Sequence, residues 1–177
     1  LITAAIDEYI SVSAASRPLD EQILLQTTSV QFSKNINDVE NPLIRETLRY
    51  FNRTNAIQIA SFSTLPTGIG LGSSSTLIVG MVNAISTLNA QPLPPMELAH
   101  TSWKIEREIL GFAGGIQDQY IAALGGIQIL TVEKNGKVLA EPLNIKEESR
   151  LELERRLVLV YSGKERDSMS IIKSQEV

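Results

Sequence analysis

Residues 65–76 read Leu-Pro-Thr-Gly-Ile-Gly-Leu-Gly-Ser-Ser-Ser-Thr, with glycine at every second position from Gly68 to Gly72 and three serines directly behind. Before them, Ala56 to Thr64 carries Ile57, Ile59 and Phe62, the β-branched and aromatic residues that suit a strand. After them an apolar segment runs from Leu77 to Leu88. The order is therefore strand, glycine-rich turn, helix with serines at its start. Glycine takes positive φ without strain and lets the backbone come close to a ligand. Serine suits a helix start, where the first-turn amide N–H groups lack intrahelical partners. Free amides and the positive end of a helix dipole make an anion site, and phosphate is the usual anion. The segment predicts a nucleotide-phosphate loop, with a glycine-rich helix-capping turn as the plainer alternative.

Two common phosphate loops do not fit. The Walker pattern needs Lys-Ser/Thr after its last glycine, where Ser73-Ser74 stands. The dinucleotide fingerprint needs glycine at its sixth position, which is Ser73 counted from Gly68 and Ser75 counted from Gly70. Read from Pro66 to Ser75, the run Pro-x-x-x-Gly-Leu-Gly-Ser-Ser-Ser closely resembles the second signature of the GHMP kinases, the family of galactokinase, homoserine kinase, mevalonate kinase and phosphomevalonate kinase.

A downstream block agrees. Glu106-Arg107-Glu108-Ile109-Leu110-Gly111 is followed by Gly114-Gly115-Ile116-Gln117-Asp118-Gln119-Tyr120 and then Gly125-Gly126. Mevalonate-type members have a glutamate, a glycine five residues on, and then Gly-x-x-Asp. Galactokinase-type members have Gly-Ile-x-Asp-Gln, which Gly115 to Gln119 matches residue for residue. The whole run is similar to the sugar-kinase branch that includes heptose 7-phosphate kinase and fucokinase. Leu157 to Gly163 followed by Arg166 resembles a strand-turn-helix of the same branch.

Composition narrows the field. A chain of 177 residues is long enough for one domain with a real core. Its net charge is −4, and its Lys and Arg are scattered rather than set in a stripe, which argues against nucleic acid. The absence of cysteine removes disulfides, thiolate metal sites and thiol nucleophiles together. Leu1 to Tyr9 has no basic n-region, and no apolar run approaches the roughly 18 residues of a membrane span. A soluble, cytoplasmic protein without membrane contact is expected.

Along the chain, residues 2–15 alternate like a strand, with Ile6, Tyr9 and Val12 inward, and 23–32 form another, with Leu25, Val30 and Phe32 inward. Residues 35–41 read as a loop. A helix from Pro42 to about Phe51 turns Leu43, Ile44, Leu48 and Phe51 to one face. Gln91 to Pro95 is a break, and 96–110 a helix with Leu98, Trp103 and Ile109 inward. A helix over 117–124 precedes a hairpin of 127–132 and 137–143 with Asn135-Gly136 as its turn. A charged helix over 147–156, a strand over 157–161 and a further helix from Arg166 complete an α+β class.

The resemblance implies more. The fold would be the GHMP kinase N-terminal domain, a mixed β-sheet backed by helices with a left-handed βαβ unit. The activity would be ATP-dependent phosphorylation of a sugar or sugar-phosphate hydroxyl, foremost the anomeric hydroxyl of a heptose 7-phosphate, then fucose or galactose. Pro66, Gly68, Gly70, Leu71, Gly72, Ser73, Ser74 and Ser75 match the nucleotide loop, Ser74 and Glu106 the magnesium pair, and Asp118 the carboxylate that orients or deprotonates the acceptor hydroxyl. ATP and Mg2+ are the implied cofactors, and a homodimer is compatible with the family. The chain begins without Met and stops within a predicted helix, so a fragment is expected: residues 1–160 as an ATP-binding domain incomplete at its start, 161–177 leading to a C-terminal domain, and no activity by itself.

Each assignment has a rival reading. Asp118 also suits a helix N-cap, and Glu106 a surface salt bridge with a basic neighbour. The three serines are not separable by chemistry. Single His100 lies outside both blocks and reads as structural, Trp103 and Tyr120 read as core or pocket wall, and Lys104 and Arg107 read as a solvated face or as reaching a substrate phosphate. At the level of the molecule, the rivals are a non-catalytic nucleotide or sugar sensor that kept the fold and a domain of the ribosomal or translation-factor type. Glu106 and Asp118 favour the enzyme over the first, since a sensor needs no base. The Gly-Leu-Gly-Ser-Ser-Ser loop argues against the second.

Overall fold

The computed structural model describes residues 1–64 and 68–160. These form an α+β arrangement of two sheets and five α-helices. The first sheet has the order β1-β6-β7, made of β1 (Ile2–Ala4), β6 (Ile127–Val132) and β7 (Val138–Pro142), all antiparallel. The second has the order β2-β5-β3-β4, made of β2 (Ile10–Ser16), β3 (Ile23–Gln26), β4 (Val30–Ser33) and β5 (Ile57–Ser63). Here β3 runs parallel to β5, with Ile23 opposite Ile57, whereas β2–β5 and β3–β4 are antiparallel. The mixed sheet is as expected, but the strands divide between two sheets rather than one.

The division corrects the first strand. The expected run over 2–15 breaks at residues 5–9, where the chain leaves one sheet for the other, and the Ala5 N–H donates to the Gly126 carbonyl at 2.8 Å. Ile6 and Tyr9, expected inward, are 49% and 68% exposed. Alternation continues through such a crossing without reporting it. The expected strand over 23–32 is likewise a hairpin, closed by the Thr27 N–H on the Ser29 carbonyl. Val30 and Phe32 lie on its outer side and are exposed, and Ser33 is buried instead.

The helix from Pro42 is α1 (Pro42–Tyr50), and it lies in the connection between the parallel strands. The Asn41 side chain accepts from the Leu43 and Ile44 N–H groups at 3.0 and 3.3 Å, proline occupies the first turn, and Leu43, Ile44 and Leu48 are buried. The loop before it holds one 3-10 turn, Ile36–Asp38. The apolar helix behind the serines is α2 (Ser73–Leu88), buried against β2 on one side and against further helices on the other. Met81 and Ile85 join the sheet core with Ile23, Ile57 and Ile59, while Ile78, Val79 and Val82 pack with Leu98 and Ile105. A helix apolar on most of its circumference belongs at such a centre.

Next comes α3 (Pro95–Trp103), which continues into a wider π turn over Lys104–Ile109, marked by Leu110 N–H bonding the Ile105 carbonyl five residues back at 3.1 Å. The extra residue per turn rotates the helix end, so Ile105 and Glu106 are buried and Ile109, expected inward, is 46% exposed. Then α4 (Gln117–Leu124) and α5 (Glu147–Arg156) fall at the expected bounds. The hairpin of β6 and β7 closes through Gly136 N–H on the Glu133 carbonyl, so Lys134-Asn135 are the turn centre and Gly136, at φ 84, follows it. Residues 157–160 form no strand, and Leu157, Val158, Leu159 and Val160 are exposed with no described strand beside them. The expected features at Tyr161, Ser162, Gly163 and Arg166 lie outside the described residues.

Candidate functional site

The glycine-rich loop carries β5 into α2. Gly68, Gly70 and Gly72 all have positive φ, at 75, 80 and 69°, so the alternation of glycine with other residues is a backbone requirement. Gly72 is the N-cap and has no side chain to satisfy the first-turn amides of Ser73, Ser74 and Ser75. A Cβ on Gly70 would meet no atom of the described residues within 4 Å. Pro66 lies outside the described residues.

Beneath this helix start sits Glu106, 1% exposed and carried inward by the π turn. Its Oε1 accepts from Ser74 Oγ at 2.7 Å, and its Oε2 from Ser75 Oγ at 2.8 Å and Gln119 Nε2 at 2.6 Å. Gln119 Nε2 also donates to Ser75 Oγ at 3.1 Å. The solvated-helix reading of Glu106 is thereby corrected: Arg107 Nη1 stands 4.0 Å away, and three neutral donors hold the carboxylate. The serines separate as well, since Ser74 is exposed and Ser75 buried, both on Glu106, while Ser73 faces a neighbouring cleft.

Arg107 is not a solvated residue. Its guanidinium donates to the carbonyls of Phe112, Ala113 and Gly115 at 3.3, 2.6 and 3.2 Å, so it laces the loop that leads into α4. Asp118 is in the first turn of α4 but not its N-cap, which is Ile116. It stands against the phosphate-type loop: a Cβ built on Gly72 would lie 3.1 Å from Asp118 Cγ. Burial pushes the Asp118 carboxyl above its ordinary value, the Arg107 guanidinium opposes this, and Glu106 adds to it.

Asp118, Gly72 and Ser73 face a cleft of about 380 Å³ between the two sheets, beside the crossing segment. Its walls are largely apolar, with Ile6, Leu71 and Ile121 among them. Glu8 and Asp118 are the charged residues on its described lining, and Thr64 Oγ1 donates to Glu8 at 2.6 Å. His100 is exposed and stacks on Trp103, with ring centroids 5.6 Å apart, away from this cleft. Tyr120 is buried with Ala99 and Leu130. Of its two readings, core or pocket wall, Tyr120 takes the core.

The donor set suits a hard divalent cation. Ser74 Oγ and Glu106 Oε1 are 2.7 Å apart, near the edge of about 3 Å that an octahedron with roughly 2.1 Å bonds presents. Ser74 is exposed and Glu106 is buried, so the pair joins the surface of the loop to the carboxylate beneath it. No cluster of three acidic or histidine side chains that could cage a metal occurs among the described residues. The pair therefore suits an ion whose remaining ligands are water and phosphate oxygens.

Ser75, Gln119 and Arg107 were not assigned these partners from sequence. Gln119 left a trace there: Ile116, Gln119, Tyr120, Ala123 and Leu124 make one stripe at i, i+3, i+4, i+7 and i+8, with a lone amide among apolar residues.

Residues 41–126 match the family model of the GHMP kinases N terminal domain. The chain is similar to D-glycero-alpha-D-manno-heptose 7-phosphate kinase of Campylobacter jejuni, 40% identical over 116 residues, or 66% of this chain and 34% of that protein. It is 29% identical over 94 residues to a galactokinase of Enterococcus faecalis, covering 53% of this chain and 22% of that one. The crystal structure of a D-glycero-D-manno-heptose 1-phosphate kinase from Bacteroides thetaiotaomicron superposes with a TM-score of 0.78 at 28% identity, over 87% of this chain and 54% of that one. The chain thus spans about a third of the first relative and about half of the solved structure.

Proposed function

Since this chain belongs to the GHMP kinases, whose N-terminal domain model it matches, we propose that the protein transfers the γ-phosphoryl group of ATP to a sugar or sugar-phosphate hydroxyl. The observation that carries this reading is the convergence at one helix start: three positive-φ glycines, a Ser74–Glu106 oxygen pair and, across Gly72, a half-buried Asp118 on a cleft. Phosphoryl transfer asks a protein mainly for positioning and charge stabilisation. The loop amides from Gly70 to Ser74 hold the β- and γ-phosphates. Ser74 and Glu106 hold Mg2+, whose contribution when bound is to neutralise developing charge on the phosphate oxygens. Asp118 faces the acceptor, orienting its hydroxyl and taking up the proton late in transfer. Burial raises the Asp118 pKa, which makes it a better match for that proton than an ordinary carboxylate.

The acceptor class follows from the cleft and the relatives. An apolar wall with two carboxylates suits a neutral polyol end, so the reacting end of the sugar sits here and any phosphate it carries points away. A heptose 7-phosphate phosphorylated at its anomeric hydroxyl is the first substrate to test, with fucose and galactose next. Residues 1–160 make up an ATP-binding domain and 161–177 lead toward a second domain. A cytoplasmic site of action fits a metabolic kinase of this kind, and no helix among the described residues is long and apolar enough to cross a membrane.

Calorimetry with ATP and Mg2+ tests the loop. Gly72→Val puts a branched side chain at φ 69, against Asp118, and is expected to abolish ATP binding while far-UV circular dichroism stays unchanged. Unchanged ATP affinity in that variant would remove the phosphate-loop reading.

A further inference from the structure

Gln119 is fully buried, and its amide nitrogen spends both hydrogens on the Glu106 site: one on Glu106 Oε2 at 2.6 Å, one on Ser75 Oγ at 3.1 Å. Ser75 in turn donates to the same Oε2 at 2.8 Å, so the three side chains close a ring. The Gln119 Oε1 atom is buried with no partner among the described residues. Its orientation follows from the ring, because the opposite assignment would set an amide oxygen against the carboxylate. An apolar side chain of the same length would fill this place without leaving a carbonyl unpaired. The amide is therefore hard to explain as packing. What it does do is fix Oε2, so that Oε1 is the oxygen turned to Ser74.

We infer that Gln119 is a positioning residue for the metal pair, one that locks the Glu106 carboxylate so that a single oxygen is presented beside Ser74 at the helix start. This rests on the reading of Ser74 and Glu106 as metal-holding residues. Without the amide, Glu106 keeps Ser75 as its one donor on Oε2 and is free to rotate, so the site must be ordered when the metal arrives, and binding weakens by that amount. Loss of an outer partner of this kind typically costs about 10- to 100-fold in metal affinity.

The test uses Gln119→Met in the intact protein, with Mn2+ as probe and a non-hydrolysable ATP analogue, read by electron paramagnetic resonance, so that no turnover is needed. The wild type is expected to bind Mn2+ in an analogue-dependent way. The variant is expected to need at least about tenfold more Mn2+, with metal-free analogue affinity unchanged. A variant that binds Mn2+ as the wild type does would overturn this inference and leave the metal pair standing. A wild type that binds no Mn2+ with the analogue would overturn both. Should Gln119→Met fail to fold, Gln119→Asn, which withdraws the amide by one methylene, gives the same comparison.

Discussion

Asp118 is held in a place that resists its charge. Its carboxyl is raised by burial more than the Arg107 guanidinium lowers it, with Glu106 adding to the rise. For a carboxylate raised in the fold, the stabilising contribution is complete below the unfolded value and is lost as pH climbs through the folded one. At neutral pH the folded protein thus carries an ionised group it disfavours. Asp118→Asn is expected to raise the melting temperature near pH 7, and the gain should shrink as pH falls and vanish below about 3, where the wild-type group is protonated in both states. Thermal denaturation across that range checks it. A lower melting temperature for the variant at pH 7 would mean the charge is satisfied by a partner and has no need of a substrate proton.

Among the elements, α2 and β2 are joined at one tight point. A Cβ on Gly80 would stand 2.7 Å from Val12 Cγ2, and valine, being β-branched, yields little. In an exposed helix, Gly→Ala stabilises by about 1 kcal/mol. Here overpacking should win, and Gly80→Ala is expected to cost about 1–3 kcal/mol in urea unfolding. Adding Val12→Ala should make the two changes non-additive by restoring the space. Simple additivity would show that helix and sheet separate more easily than their contact suggests. The same scale explains what was readable beforehand. Local signals set α1, α4, α5 and β6 correctly, since Asn41-Pro42 at a helix start and a 3.6-residue stripe need no distant partner. The π turn at 104–109 was not legible, because one added residue per turn leaves composition untouched while it rotates Glu106 inward and Ile109 outward.

At the scale of the molecule, the split into two sheets escaped the sequence because pairing is decided by residues far apart, as when Ile2 meets Ile129 and Ile23 meets Ile57. The site was legible in part for the opposite reason. Gly68 to Ser75, Glu106 and Asp118 stand in motifs, so their identities were open to reading, but their common position depends on α3, its π turn and α4 converging on the start of α2. Where Ser75, Gln119 and Arg107 act followed only once that convergence was seen. The Ser74–Glu106 pair and Asp118 are expected to fail differently when altered. Glu106→Gln should raise the magnesium requirement and recover partly with excess metal, whereas Asp118→Asn should not recover. Equal rescue of both by a metal titration of activity would make Asp118 a metal ligand.

The most direct measurement is phosphoryl transfer from radiolabelled ATP by the intact protein to a panel of free and phosphorylated aldoses, with Asp118→Asn run beside it. The expected result is labelled product with at least one aldose, foremost a heptose 7-phosphate. In the variant, turnover should fall by about two to four orders of magnitude, the range for a lost general base, while calorimetric ATP affinity holds. Near wild-type turnover in Asp118→Asn, or no transfer to any sugar by a protein that binds ATP and magnesium, would contradict the account.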